Sequence, residues 1–188
     1  MKSTKLLAMA VVFLLSCVAI AADSDESKTV KSKDKCIQVT LPKGWDTIEL
    51  PVAETPKKWQ DRLIAAETHD GDAVVITSEP QAESGFHSLK DFADAEVKRM
   101  KRDSSAFDET VFTDARNIKV DGQDAIQFGF HGTFKNGVNK GERLVVIVTS
   151  AETPTRWNLI RVTASQSRLD KVQDQIDAIN KSFKELSK

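Results

Sequence analysis

The chain is poor in the residues that catalysis usually recruits. It has two cysteines and three histidines in 188 residues. No histidine stands four residues from another, and neither HExxH nor CxxC occurs, so no zinc motif is present. There is no GxSxG elbow. The eight glycines fall mostly in turns, so no phosphate-cradling loop is visible. An excess of one charge is also missing, since 27 Lys+Arg face 28 Asp+Glu. That balance argues against a nucleic-acid partner, which calls for a basic stripe. No cofactor is implied.

What is present begins with an address. Lys2 and Lys5 precede an uncharged apolar run, Leu6 to Ala22, with acids just beyond it. This is the layout of a secretory signal peptide, and the run is short for a spanning helix. Small residues at Ala19 and Ala21 place cleavage after Ala21, so residues 1–21 are read as the signal. The competing reading is a lipobox at Leu14–Cys17, with Cys17 lipidated and the protein anchored. Leu15 in that tetrad is larger than usual and apolar residues continue past Cys17, so cleavage is preferred. The protein is thus expected to be exported, periplasmic or secreted, with membrane contact only if Cys17 carries lipid. Either way Cys36 loses its only pairing partner, and no disulfide is available. Burial is the ordinary state of such a cysteine. Removing Lys2 and Lys5 from the 27 basic residues leaves 25 against 28 acids, a net of about −3.

Residues 22–35, "ADSDESKTVKSKDK", offer one β-branched apolar side chain among polar ones and are expected to form a disordered leader. A single domain is expected over 36–188. Ile37, Val39 and Leu41 alternate with polar residues as a strand, which Pro42 and Gly44 end. "RLIAAET" and "DAVVITSE" flank His69-Asp70-Gly71, a hairpin signal. Ser88 caps a helix whose stripe is Leu89, Phe92, Ala93, Val97 and Met100, with Asp91 in the capping-box position. "ARNIKV", "DAIQFGFHGTF", "ERLVVIVTSA" and "RWNLIRVTAS", joined by short turns, predict an antiparallel meander. Ile126, Phe128, Phe130 and Phe134 share one face of the second of these, and Gln127 and His131 the other. A closing helix carries Leu169, Val172, Ile176, Ile179, Phe183 and Leu186. The fold class is α+β: a largely antiparallel sheet flanked by two main helices.

Few residues stand out as site candidates. His69, Asp70 and Asp72 could share a cation, but three groups fall short of a closed site, and Asp-Gly already has a role in closing the hairpin. Cys36 with a histidine could form a nucleophile pair; a lone cysteine among scattered histidines arises readily by chance. No catalytic residue is therefore assigned. Trp45, Trp59 and Trp157 lie near turns or strand ends. They are read first as caps on the core, and as the binding residues if a surface uses them.

Four pieces occur in order: "LPKGW" closing a strand, a helix opening "SLKDFA", a "VDGQDA" turn entering a long strand, and a final helix ending "INKSF". Together they resemble the PsbP-like and DcrB-like families, whose fold is an α/β/α sandwich that also includes a Ran-binding Mog type. The resemblance spans about Ile37 to Phe183. It implies a non-enzymatic accessory protein whose partner is another envelope protein. Two alternatives stay open. One is a small envelope hydrolase or metal-dependent enzyme. The other is an apolar-ligand carrier with a cavity lined by Phe128, Phe130 and the terminal helix.

Overall fold

Period-two alternation and its turn punctuation build most of the molecule. The computed structural model describes residues 26–49, 62–136 and 140–186. The expected signal segment, Cys17, the cleavage point after Ala21 and Trp59 lie outside these residues. The elements run β1 (Lys28–Lys31), β2 (Ile37–Leu41), β3 (Trp45–Thr47), β4 (Leu63–Thr68), β5 (Ala73–Pro80), α1 (Gln81–Ser84), α2 (Leu89–Asp103), β6 (Phe107–Phe112), β7 (Arg116–Val120), β8 (Gln123–Phe134), β9 (Arg143–Glu152), β10 (Arg156–Ser165), α3 (Leu169–Ser182) and β11 (Lys184–Glu185). Short 3-10 turns follow α2 and precede α3.

The large sheet is ordered β3-β4-β5-β10-β9-β8-β6, with β7 also paired to β8. The pairings described are antiparallel. A small sheet, β1-β2-β11, stands apart from it. The molecule is α+β, with a large antiparallel sheet and helices, as the sequence pattern predicts.

Each face of the large sheet has its own core. On one face Ile76, Ile160 and Val162 meet Val172, Ile176 and Ile179 of α3 and Ile37, Val39 and Leu41 of β2. On the other, Phe128, Phe130, Val146, Val148, Trp157 and Leu159 meet Phe92, Ala93 and Met100 of α2. Burying each of these side chains contributes roughly 1.5–3 kcal/mol before entropy is counted. Helix α2 starts where the Ser88 side chain accepts from the Asp91 N–H at 3.1 Å, the predicted cap.

Two expectations are revised. The leader 22–35 is not disordered throughout. Lys28–Lys31 pairs with β2, from Lys28↔Leu41 to Lys31↔Gln38. Val30 packs against the core, Ser32 is buried, and Lys28 binds Asp46 at 2.6 Å. The partner strand supplies the order that the segment's own composition does not. The carrier cavity is also not formed as drawn. Phe128 and Phe130 face α2, whereas α3 lies on the opposite side of the sheet.

Gly129 marks the tightest approach within the sheet. A Cβ there would press into the Val146 carbonyl oxygen, and a backbone atom cannot swing aside. Gly129→Ala is expected to lower stability by about 2 kcal/mol, read as a shift in the urea midpoint at constant slope.

Candidate functional site

The two described tryptophans, Trp45 and Trp157, do not gather on a surface. Trp45 is fully buried in the core beneath α3, where its Nε1–H donates to Gln175 Oε1 at 3.0 Å. Trp157 is buried in the other core, stacked on Phe92 with ring centroids 5.7 Å apart. The sheet separates them. Both rings cap core ends, and neither offers a partner a face.

Cys36 is buried at the tip of the β1–β2 hairpin. Its N–H donates to Asp34 Oδ1 at 3.0 Å, and its sulfur lies 3.6 Å from Ser32 Oγ. Burial pushes the thiol's pKa up, and the adjacent Asp34 carboxylate pushes the same way. A nucleophile needs the opposite shift. Cys36 also forms part of the floor of a cleft of about 500 Å³, lined with Asp121, Gln123, Thr153, Arg156 and Glu185. Arg156, Thr153 and Glu185 are already engaged here. Arg156 Nε donates to Ser78 Oγ at 2.6 Å, Ser78 donates to Asn158 Oδ1 at 2.6 Å, and Asn158 donates to Thr153 Oγ1 at 2.8 Å. The Glu185 carboxylate is bound by the Thr155 hydroxyl.

His69 and Asp70 are exposed at the β4–β5 turn, and Asp72 is buried beside them. A cation already sits at the two carboxylates. The Arg168 guanidinium bonds Asp70 through Nη1 and lies 2.8 Å from Asp72 Oδ2 through Nη2. Burial pushes the Asp72 carboxyl up, while Thr68 and the Ser165 backbone hold it down. The three histidines are far apart. His69 tips the β4–β5 hairpin, His87 precedes α2, and His131 is on β8, three strand spacings or about 14 Å from β5. Among the described residues no three His, Cys, Asp or Glu side chains could hold a metal ion.

Two features stand out that the sequence reading passed over. The first is an apolar pair on β6, the strand at the sheet's edge. Val111 is 53% exposed and Phe112 37%. The Phe112 ring leans on Phe130 at 5.6 Å, with the Lys101 ammonium 5.7 Å from its centre. The second is a row of charges along α2. Glu96, Arg99 and Asp103 recur at three and four residues on a half-buried side of the helix. Arg99 Nε donates to Glu96 at 2.9 Å. In the middle of β10, burial first and then the Arg99 charge push the Arg161 guanidinium pKa down, while Asp103 and Glu96 push it up. One signal on the strand side was legible: an arginine inside the apolar run "NLIRVTA".

The fold has known relatives in shape. Cyanobacterial PsbP from Synechocystis superposes with a TM-score of 0.57 at 15% identity, covering 92% of this chain and 99% of its own. The chain has the PsbP/Mog1-like fold. The Ran-binding protein Mog1p of Saccharomyces cerevisiae gives 0.57 at 12% identity, covering 86% of this chain and 96% of its own. LpqN of Mycobacterium tuberculosis, involved in cell envelope biogenesis, gives 0.52 at 12%, covering 84% and 89%. No family model matches the chain, and no curated protein matches it in sequence. At these identities the likeness is one of fold.

Two outcomes are expected. In the native state Cys36 should be alkylated by iodoacetamide at least about tenfold more slowly than after unfolding. A raised folded pKa means that the unfolded thiol ionises first as pH climbs. Stability should therefore fall above about pH 8.5 more steeply in the natural chain than in Cys36→Ala. Separately, Arg168→Ala leaves the buried Asp72 carboxylate unpaired and should cost about 3 kcal/mol in denaturant unfolding. The paired change Asp72→Asn with Arg168→Met should cost much less.

Proposed function

We propose that the chain is an exported, non-enzymatic accessory domain that binds another protein of the cell envelope. The observation that carries this reading is the exposed Val111–Phe112 pair on β6. Large apolar side chains at an open sheet edge lose water contact when a partner covers them, and aromatic anchors dominate such interfaces. Lys101 beside Phe112 would add a charged rim. Proteins of the same fold include one that is Ran-binding and one involved in cell envelope biogenesis, which supports a binding role. The basic, apolar and small-residue succession in residues 1–21 supports export, with release after Ala21 preferred to a lipid on Cys17.

The enzymatic alternative draws no support from the geometry. Cys36 is buried with its thiol pKa raised, and Arg168 occupies the carboxylates that a cation would use.

The test is chemical cross-linking in the cells that make the protein, followed by affinity capture and mass spectrometry. A discrete partner should be recovered with the natural chain. It should be lost with Val111→Glu/Phe112→Ser, while the melting temperature stays within a few degrees. Equal recovery by both chains would show that β6 is not the interface. Recovery of nothing by either would sink the binding reading itself.

A further inference from the structure

The edge on which the binding reading rests has a definite chemistry. Neighbours on a strand point to opposite faces. Phe112, opposite Phe130, therefore lies on the α2 side of the sheet, and Val111, opposite His131, on the other. Phe112 is not an isolated ring. It leans on Phe130 at 5.6 Å between centroids, Phe130 meets Phe107 edge-on at 5.2 Å, and Phe107 stacks on Phe134 at 4.4 Å. Phe130 is buried, and the other three keep part of their surface in water. Gly132 lets the row close up, since a Cβ there would press on the Phe107 Cβ at 2.9 Å. A partner covering Phe112 would thus meet a ring backed by three others, the rigid aromatic anchor that dominates interfaces.

Charge decides what can cover it. On α2 and beside it most charges cancel in pairs: Lys90 with Asp94, Arg99 with Glu96, Arg102 with Asp103, and Lys135 with Asp108. Lys98 and Lys101 make no ion pair among the described residues. Both are exposed, and three residues apart they are neighbours on the helix surface. The Lys101 ammonium stands 5.7 Å from the centre of the Phe112 ring. The helix side of the site therefore carries two uncancelled positive charges. The strand carries the other sign. Glu109 and Asp114 are exposed on either side of Val111–Phe112 and make no ion pair among the described residues. An acidic group is drawn toward the helix and repelled along the strand, so the charges fix the direction of approach as well as its sign.

We propose that the protein seated on β6 presents an apolar side chain to Phe112 with one or two carboxylates beside it, which pair with Lys101 and Lys98. This rests on the reading of β6 as the binding edge and adds the chemistry of the partner to it.

The test is a ¹H–¹⁵N titration of the full chain at low salt with three blocked peptides that differ only in charge: acetyl-Gly-Leu-Trp-Asp-Asp-Gly-amide and its Asn-Asn and Lys-Lys counterparts. The acidic peptide should shift the amides of β6 and of the last two turns of α2 saturably. The Asn-Asn peptide should bind about fivefold more weakly, because two exposed ion pairs are lost. The Lys-Lys peptide should bind more weakly still. The difference should shrink at about 0.5 M salt, where exposed charges are screened. Lys98→Gln with Lys101→Gln should make the acidic and Asn-Asn peptides equal, with the melting temperature unchanged because both side chains are exposed. Phe112→Ser should weaken all three. Equal binding of the three peptides, preference for Lys-Lys, an acidic preference that survives the double glutamine variant, or shifts that map away from β6 would overturn the proposal. So would saturable binding of none. Each of these leaves the protein-binding reading to its own cross-linking test, which fails separately if nothing is recovered.

Discussion

Strand β10 holds the two halves of the chain together. On one side it pairs with β5 over eight residues, Arg156↔Pro80 to Thr163↔Ala73. On the other it pairs with β9. The first contact joins segments about 80 residues apart, so it closes the longest loop within the large sheet. Loop closure of this kind has to be offset by what the strand buries. Here it buries Ile160 and Val162 toward α3, and Trp157 and Leu159 toward α2. Without β10 the short β3 and the β4–β5 hairpin would be cut off from the rest of the large sheet, and so small a sheet is stable only with an apolar face covered.

The same strand explains why this sheet tolerates buried polar groups. Asn158 is fully buried, yet it receives the Ser78 hydroxyl and donates to Thr153. Those partners come from β5 and from the β9–β10 turn, so the network spans three neighbouring elements. Gln127 repeats the device two strands away, donating to Thr149 and accepting from Arg116. Satisfied networks of this kind cost little and fix register, because a one-residue slip would orphan each member. The buried Nε1–H of Trp157, on the same strand, is an exception: it finds no partner among the described residues.

Sequence pattern made much of the fold legible. The long apolar runs of β8, β9 and β10, the Asp-Gly hairpin and the stripes on both helices follow from periodicity alone. What escaped was decided by partners far away in the chain. Lys28–Lys31 lacks apolar content and is ordered by β2. Phe107–Phe112 did not read as a strand because its alternation is broken: the register shifts between Asp108 and Val111, and Glu109 takes a φ of 51°. The site residues were harder still. Tryptophan's size marks it equally for cores and interfaces, and burial placed Trp45 and Trp157 in cores. Arg161 was visible as a charge in a strand, but that it makes no hydrogen bond or ion pair among the described residues is a property of the assembled structure.

The break in β6 also bears on how an edge of this kind could be used. An unbroken edge strand presents a row of free N–H and C=O groups that any extended chain can extend. In β6 the bulge interrupts that row after two residues, and exposed Asp108 and Glu109 add charge where a new strand would approach. Main-chain addition is therefore disfavoured along the strand. Val111 and Phe112 lie just past the bulge, where pairing to β8 resumes and Phe130 supports the aromatic ring. Recognition at this edge would then rest on the two side chains and the lysine beside them. That is a more selective basis than a free ladder, since shape and charge have to match at three points.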